Sequence, residues 1–177
     1  MSTLKVASLC TGNAARSVMA GTMLEQLAAH EGLALDVTTA GTHAVEGQPV
    51  SSRVRLAIQT LGEVDISELN RHRSHQLSIA GCASADLIVA MEADHVSYVR
   101  RNHPEAAART ATIRRLVGEL PLEGDDVRGR IALSDLQSAD LSADVDVLDP
   151  AGRDQPEYNE CALEIWELCQ SLVVLLG

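Results

Sequence analysis

Leu9-Cys10-Thr11-Gly12-Asn13-Ala14-Ala15-Arg16-Ser17 lies between two kinds of pattern. Before it, Leu4 to Leu9 is an apolar run that reads as a buried strand. After it, Ser17-Val18-Met19-Ala20 opens a helical pattern. The stretch is therefore a strand-to-helix turn, with five residues between a cysteine at its start and an arginine at its end. Its small residues, Thr11, Gly12, Ala14 and Ala15, let the backbone curl tightly and turn successive N–H groups inward as an anion-binding nest. The N-terminus of the helix adds unpaired N–H groups and a positive dipole end. Arg16 supplies a guanidinium whose fork matches two phosphate oxygens. Cys10 then stands at the floor of a cup shaped for a tetrahedral oxyanion. The same positive field favours its thiolate, a nucleophile aimed at phosphorus. Alone, a cysteine ending a buried strand reads as a small core residue; the Cys-x5-Arg-Ser frame gives it chemistry.

Outward from this turn, strands and helices alternate. Met19, Met23 and Leu27 fall on one helical face, a core stripe, and Gly32 ends that helix. Leu35–Ala40 is a second strand, closed by Gly41, and residues 42–50 form a loop. Ser51 or Ser52 caps a helix through Val54, Ile58 and Leu61, with Gly62 after it. Residues 63–76 read as polar connection and Leu77–Cys82 as a short helix. Ala85–Met91 is the most continuous apolar run, a central parallel strand. Ala93–Asn102 is helical until His103-Pro104, and Thr110–Leu116 reads as a short fourth strand. Such alternation implies an α/β fold, a doubly wound four-stranded parallel sheet with helices on both faces. Ligands in these folds bind beyond the carboxyl ends of strands at the switch point, where Cys10 lies.

Residues 117–147 are acidic and glycine-interrupted and read as a solvated loop, with a helical turn or two over Arg130–Leu136. Asp154-Gln155-Pro156-Glu157 has the form of a capping box for a last helix. That helix lines up Tyr158, Cys161, Ile165, Cys169, Leu172 and Leu176.

The 177 residues suit a single domain, 1–177, with an acidic insertion at about 117–147. The net charge of -11 argues against nucleic acid and anionic membranes as partners. A phosphate must then be caught by a local positive site. No signal pattern opens the chain, and no apolar run approaches the roughly 20 residues of a membrane span; a cytoplasmic location is expected. Four cysteines make no disulfide framework here. Cys161 and Cys169 stand about 12 Å apart along one helix, beyond the roughly 7 Å that a disulfide tolerates. The six histidines, His30, His43, His72, His75, His95 and His103, have no metal-ligand spacing and read as surface or structural.

Cys10-Thr-Gly-Asn-Ala-Ala-Arg16-Ser17 resembles the phosphate loop of the low-molecular-weight protein tyrosine phosphatases. Thioredoxin-coupled arsenate reductases and phosphoarginine phosphatases share that superfamily. Thr39-Ala40-Gly41-Thr42, residues 72–77, Ala85–Met91 and Asp149-Pro150 resemble further family segments, so the likeness spans nearly the whole chain. It implies that Cys10 attacks phosphorus to form a cysteinyl-phosphate while Arg16 and the N–H groups of residues 11–17 hold the oxygens. Asp149 would protonate the leaving oxygen and then activate water. Ser17 would bond the sulfur, and Asn13, in a left-handed conformation, would brace the loop with Thr42 behind it. No metal or cofactor is needed. The implied partner is a phosphorylated protein or small phosphoester, phosphotyrosine in protein above all. Arsenate reduction, phosphoarginine hydrolysis and non-catalytic phosphate binding stay open as alternatives.

This chain departs from the family pattern in several places. Ala15 replaces a cysteine that can protect the nucleophile by a disulfide. Val18 and Gly21 replace Pro and Glu, and Gly21 is expected to soften the helix. Ala151 and Gly152 follow Asp149-Pro150 where aromatics wall the family's pocket, and the chain has no Phe. The phosphoarginine branch resembles Val147-Leu148-Asp149-Pro150 too, but its loop threonine is Ala14 here. Arsenate reduction would need a relay of cysteines, for which only Cys82 is suggestive.

Overall fold

A computed structural model describes residues 3–142 and 145–177. Met1, Ser2, Ala143 and Asp144, the last an acidic residue of the 117–147 segment, lie outside the described residues. Four parallel strands, β1 (Leu4–Cys10), β2 (Leu35–Gly41), β3 (Leu87–Ala90) and β4 (Thr110–Thr112), form one sheet in the order β2-β1-β3-β4. Register runs Leu4↔Leu35 to Cys10↔Gly41 on one side of β1 and Val6↔Leu87 to Leu9↔Ala90 on the other. The chain leaves β1 in one direction and returns on its far side, so the switch point lies between the carboxyl ends of β1 and β3.

Alternation along the strands sorts the core into two layers. Leu4, Val6, Leu87 and Val89 pack with α1 (Arg16–His30), α2 (Ser52–Gln59), α5 (Ile113–Glu119) and α7 (Gln155–Leu176). Ala7, Leu9 and Ile88 face the other way, toward α3 (Ile79–Ser84) and α4 (Ala93–Asn102). Ser51 caps α2, accepting from the Val54 N–H. Gly21 sits where α1 crosses β2: a Cβ there would run into the Thr39 methyl. Whatever it costs in helix propensity, it serves close packing.

Three expectations change. Only Thr110–Thr112 is strand; from Ile113 the chain is helix α5, because the Thr112 hydroxyl caps it by accepting from Arg115 N–H. Ile113 and Leu116 are its buried face. Asp154 precedes α7 but makes no capping bond and instead pairs with Arg53 at 3.6 Å. The acidic segment is more than a solvated loop. Helix α6 (Val127–Leu133) is capped by Asp126. Arg128 binds Asp86 at 2.7 and 3.0 Å, and Arg100 donates to the carbonyls of Leu136 and Ala139 at 2.8 Å. Among the described residues, no helix is long and apolar enough to cross a membrane.

Candidate active site

The turn after β1 is built around Asn13, whose φ of 51° closes the curl. Its amide nitrogen donates to Thr39 Oγ1 at 2.9 Å and Ser17 Oγ at 3.1 Å, and its Oδ1 accepts the His75 N–H at 3.0 Å. Its carbonyl takes a hydrogen bond from His72 Nε2 at 2.8 Å. Burial lowers the pKa of His72, with the charges of His75 and Arg73 adding to it against the bond to Asn13. Since Ser17 Oγ accepts from Asn13, its proton is free for the Cys10 sulfur, 3.1 Å away. Cys10 itself is buried at the end of β1.

Thr42 is not the brace expected of it. Its N–H donates to the Cys10 carbonyl at 2.9 Å, but its hydroxyl faces His43; Thr39 takes the part instead. Gly41 lets β2 come this close: a Cβ there would stand 2.6 Å from the Thr11 oxygen and 2.9 Å from Asn13 N. No described protein group accepts from the N–H groups of Gly12, Asn13, Ala14 or Ala15. With Arg16 opening α1, those donors form the nest the sequence implies.

Arg16 is 1% exposed. Its Nη1 meets Glu92 Oε1 at 2.6 Å and the Val147 carbonyl at 2.8 Å. Its Nη2 meets Asp149 Oδ2 at 2.8 Å and, at 3.5 Å, Thr11 Oγ1. These contacts use Nη1 and Nη2 alone. Burial opposes the charge, but the bond to Glu92 and the charges of Asp149, Glu92 and Cys10 outweigh it and hold the guanidinium's pKa above its ordinary value. Asp149 arrives 133 residues after Arg16 because its segment is stitched to the end of β3: Val147 N–H donates to Met91 O at 2.8 Å, and Asp146 caps Ala93 N–H at 2.7 Å.

Glu92 and His95 went unremarked in the sequence as site residues, yet both adjoin Arg16 or the loop. His95 is buried, with Nε2 2.9 Å from Thr11 Oγ1 and Nδ1 accepting the Glu92 N–H at 3.0 Å. Together they close a capping box at the start of α4, with Glu92 and His95 in place of the Ser/Thr and Glu/Gln that would mark one in the sequence. Thr39, His72 and His75 join the site from β2 and the connection after α2. No group of three His, Cys, Asp or Glu side chains among the described residues could hold a metal.

Two exposed aliphatic side chains lie on segments next to the site, Leu148 beside Asp149 and Val45 in the loop after β2. Leu148 is 70% and Val45 65% exposed. His43 meets Tyr98 edge-on, with ring centroids 5.4 Å apart. A cleft of about 580 Å³ between α1, β2 and the 3₁₀ turn Ser67–Arg71 backs onto Thr39 and His72 but does not contain Cys10. We take the cup, not this cleft, as the site, because only the cup gathers a nucleophile, inward donors and a guanidinium.

Residues 5–128 match the family model described as low molecular weight phosphotyrosine protein phosphatase. A protein-arginine-phosphatase of Bacillus subtilis is 28% identical over 164 residues, covering 93% of this chain and 91% of that protein. A probable low molecular weight protein-tyrosine-phosphatase, EpsP, of Ralstonia nicotianae is 32% identical over 114 residues, 63% of this chain and 69% of that one. The crystal structure of a low molecular weight protein tyrosine phosphatase from T. tengcongensis superposes with a TM-score of 0.77 at 27% identity, covering 97% of this chain and 99% of that chain.

Proposed function

The chain belongs to the low molecular weight phosphotyrosine protein phosphatase family, and from that premise we propose that it hydrolyses phosphomonoesters on proteins, phosphotyrosine first, through a cysteinyl-phosphate at Cys10. The phosphoryl group enters the cup, its oxygens taking the N–H groups of the Cys10–Ser17 loop and the forked donors of Arg16. An incoming oxygen competes with Asp149 for Nη2, which frees the carboxyl group to act. Once displaced from Arg16, Asp149 takes up a proton from solvent; the Cys10 sulfur then forms a bond to phosphorus as the ester P–O bond breaks, and Asp149 passes that proton to the leaving oxygen. Asp149 then takes a proton from water. That water attacks phosphorus, the P–S bond breaks, and inorganic phosphate and thiolate are regenerated. The observation that carries the reading is the Cys10 sulfur, held 3.1 Å from the Ser17 hydroxyl, at the foot of the loop whose far end is the buried Arg16.

Its test is Cys10→Ser against para-nitrophenyl phosphate, with hydrolysis expected to disappear. Turnover at the wild-type rate in that variant would remove the mechanism. Phosphoarginine on protein is a second reading, favoured by the exposed aliphatic Leu148 beside Asp149 and by Ala151 and Gly152, not aromatics, directly after Pro150. Phosphotyrosine and phosphoarginine peptides assayed side by side separate the two. Arsenate reduction has little support: Cys82 belongs to the cluster on the other face of the sheet from Cys10, and burial pushes its thiol up to about 11. The reading includes a cytoplasmic location, which four free thiols suit. It also includes one domain over 1–177, with 117–147 as an insertion clipped down by Arg100 and Arg128.

A further inference from the structure

Resting on the phosphatase reading above, we propose that His95 is a positioning residue for the phosphate loop: a neutral imidazole that turns the Thr11 hydroxyl toward the incoming phosphoryl group and, with Glu92, locks it to Arg16. The proton's place follows from the partners. The Glu92 N–H can only donate, so Nδ1, 3.0 Å away, must be the bare nitrogen. The proton then sits on Nε2 and is donated to Thr11 Oγ1 at 2.9 Å. Thr11 Oγ1 also faces Arg16 Nη2 at 3.5 Å, another donor. With donors on its lone pairs, the hydroxyl proton is left to point elsewhere, and Thr11, partly exposed in the phosphate loop, can offer it to a phosphoryl oxygen.

The contacts close a ring. Arg16 binds Glu92, the Glu92 backbone binds His95, His95 binds Thr11, and Thr11 faces Arg16 again. Glu92 Oε2 lies 3.3 Å from the same Nε2, and Glu92 also caps α4. The ring therefore anchors the first loop residue and the last cation of the frame to the rigid start of one helix. Charging the imidazole would put a proton on Nδ1 against the Glu92 N–H. Burial, and the charges of Arg16 and His43, oppose that as well and push His95 down to about 3. His95 thus contributes a fixed donor rather than a titrating acid or base.

Two variants separate the hydroxyl contact from the cap. In His95→Asn the amide oxygen falls near the Nδ1 position and keeps the Glu92 N–H, but the side chain stops short of Thr11. In His95→Gln the longer amide reaches the Nε2 position and donates to Thr11. For His95→Asn we expect kcat/KM for para-nitrophenyl phosphate to fall, and Ki for inorganic phosphate to rise, each about tenfold, with Tm near wild type. His95→Gln should recover most of that loss. Thr11→Val should resemble His95→Asn, and the double variant should lose little more than either. Nitrogen NMR of the wild type should read a bare Nδ1 and a protonated Nε2 from about pH 5 to 9. The proposal is overturned by an unchanged Ki and kcat/KM in His95→Asn, by additive losses in the double variant, or by the other tautomer. A wild type that neither hydrolyses the ester nor binds phosphate overturns the phosphatase reading itself, and this proposal with it.

Discussion

The loop under the cup and the segment above it are held in different ways. Cys10–Ser17 is interlocked by short side chains: Asn13 alone bonds Ser17, Thr39 and the backbone of His75, and receives His72. Residues 145–149 are held by Val147 buried in the core, its main-chain bond to Met91, the Asp146 contact with Ala93 and the grip of Arg16 on Val147 and Asp149. Leu148 stands largely in solvent and Asp149 is half-buried, while Asn13 and Arg16 are buried. The anion site is thus built into the fold before any ligand arrives. The carboxyl group that handles protons sits on a segment pinned by Val147, and its own grip on the cup, the pair with Arg16, is ionic and exchangeable. Damage to the first region should cost binding and chemistry together; damage to the second should cost chemistry alone.

Asp149→Asn tests that separation with the largest effect. Loss of the proton donor should lower kcat by about two to three orders of magnitude. The Ki for inorganic phosphate should stay level or fall, because Arg16 Nη2 no longer has a carboxylate to release. A tenfold rise in Ki would mean that the covering segment helps to build the anion site, and the contrast would fail.

Asn13→Ala strikes the other region. It removes the side-chain contacts with Ser17, Thr39 and His75 and forces alanine to a φ of 51°. A loss of about 2–3 kcal/mol in unfolding free energy is expected, read by denaturant titration, with phosphate affinity falling beside it. An undisturbed Ki would mean that the loop keeps its curl without its brace.

The same division governs what the sequence could tell. The loop's own chemistry was legible because it is local: small residues, an asparagine fit for positive φ, and a strand-to-helix change of period. Thr39, His72, Glu92 and His95 were not, since each reaches the loop from 26 to 84 residues away and nothing in its immediate neighbours marks the destination. Gly21 looked like a weakness and is a point of close contact with Thr39. The misread of Thr110–Leu116 had a different cause. β-Branched Thr110, Thr112 and Ile113 outweighed a helical signal already present, a threonine cap followed by apolar residues three apart. Asp149 could be found because Pro150 and the start of α7 follow it, but its union with Arg16 depends on pairing between residues 145–147 and 91–93.

His95 sharpens the comparison through pH. In the fold it stays neutral down to about 3, whereas an unfolded chain takes up the proton near pH 6.5. Lowering the pH through that interval therefore favours the unfolded chain, by at most about 1.4 kcal/mol per pH unit. At about pH 5 the loss reaches about 2 kcal/mol. His95→Asn should lose stability less steeply between about pH 6.5 and 4.5. Parallel slopes would mean that the buried imidazole accepts a proton in the fold.

Arg128→Gln gives the smallest effect and extends the contrast to the acidic segment. Arg128 binds both oxygens of Asp86, which also accepts the Lys5 N–H, so α6 is clipped to the amino ends of β1 and β3, the opposite end of the sheet from the cup. Both side chains are partly exposed, so the pair contributes only about 1 kcal/mol. The bond from Arg128 is the main cause that holds the pKa of Asp86 below its ordinary value; burial opposes it, and Lys5 adds to it. A carboxylate so held stabilises the fold above about pH 3.9 and loses that contribution as pH falls through its lowered pKa. The variant should therefore be weaker at neutral pH and converge on wild type in acid, with kcat/KM for para-nitrophenyl phosphate unchanged. A fall in turnover would show that the clipped segment, through Asp146 and Val147, sets where Asp149 stands, and that the proton-handling region borrows its order from α6.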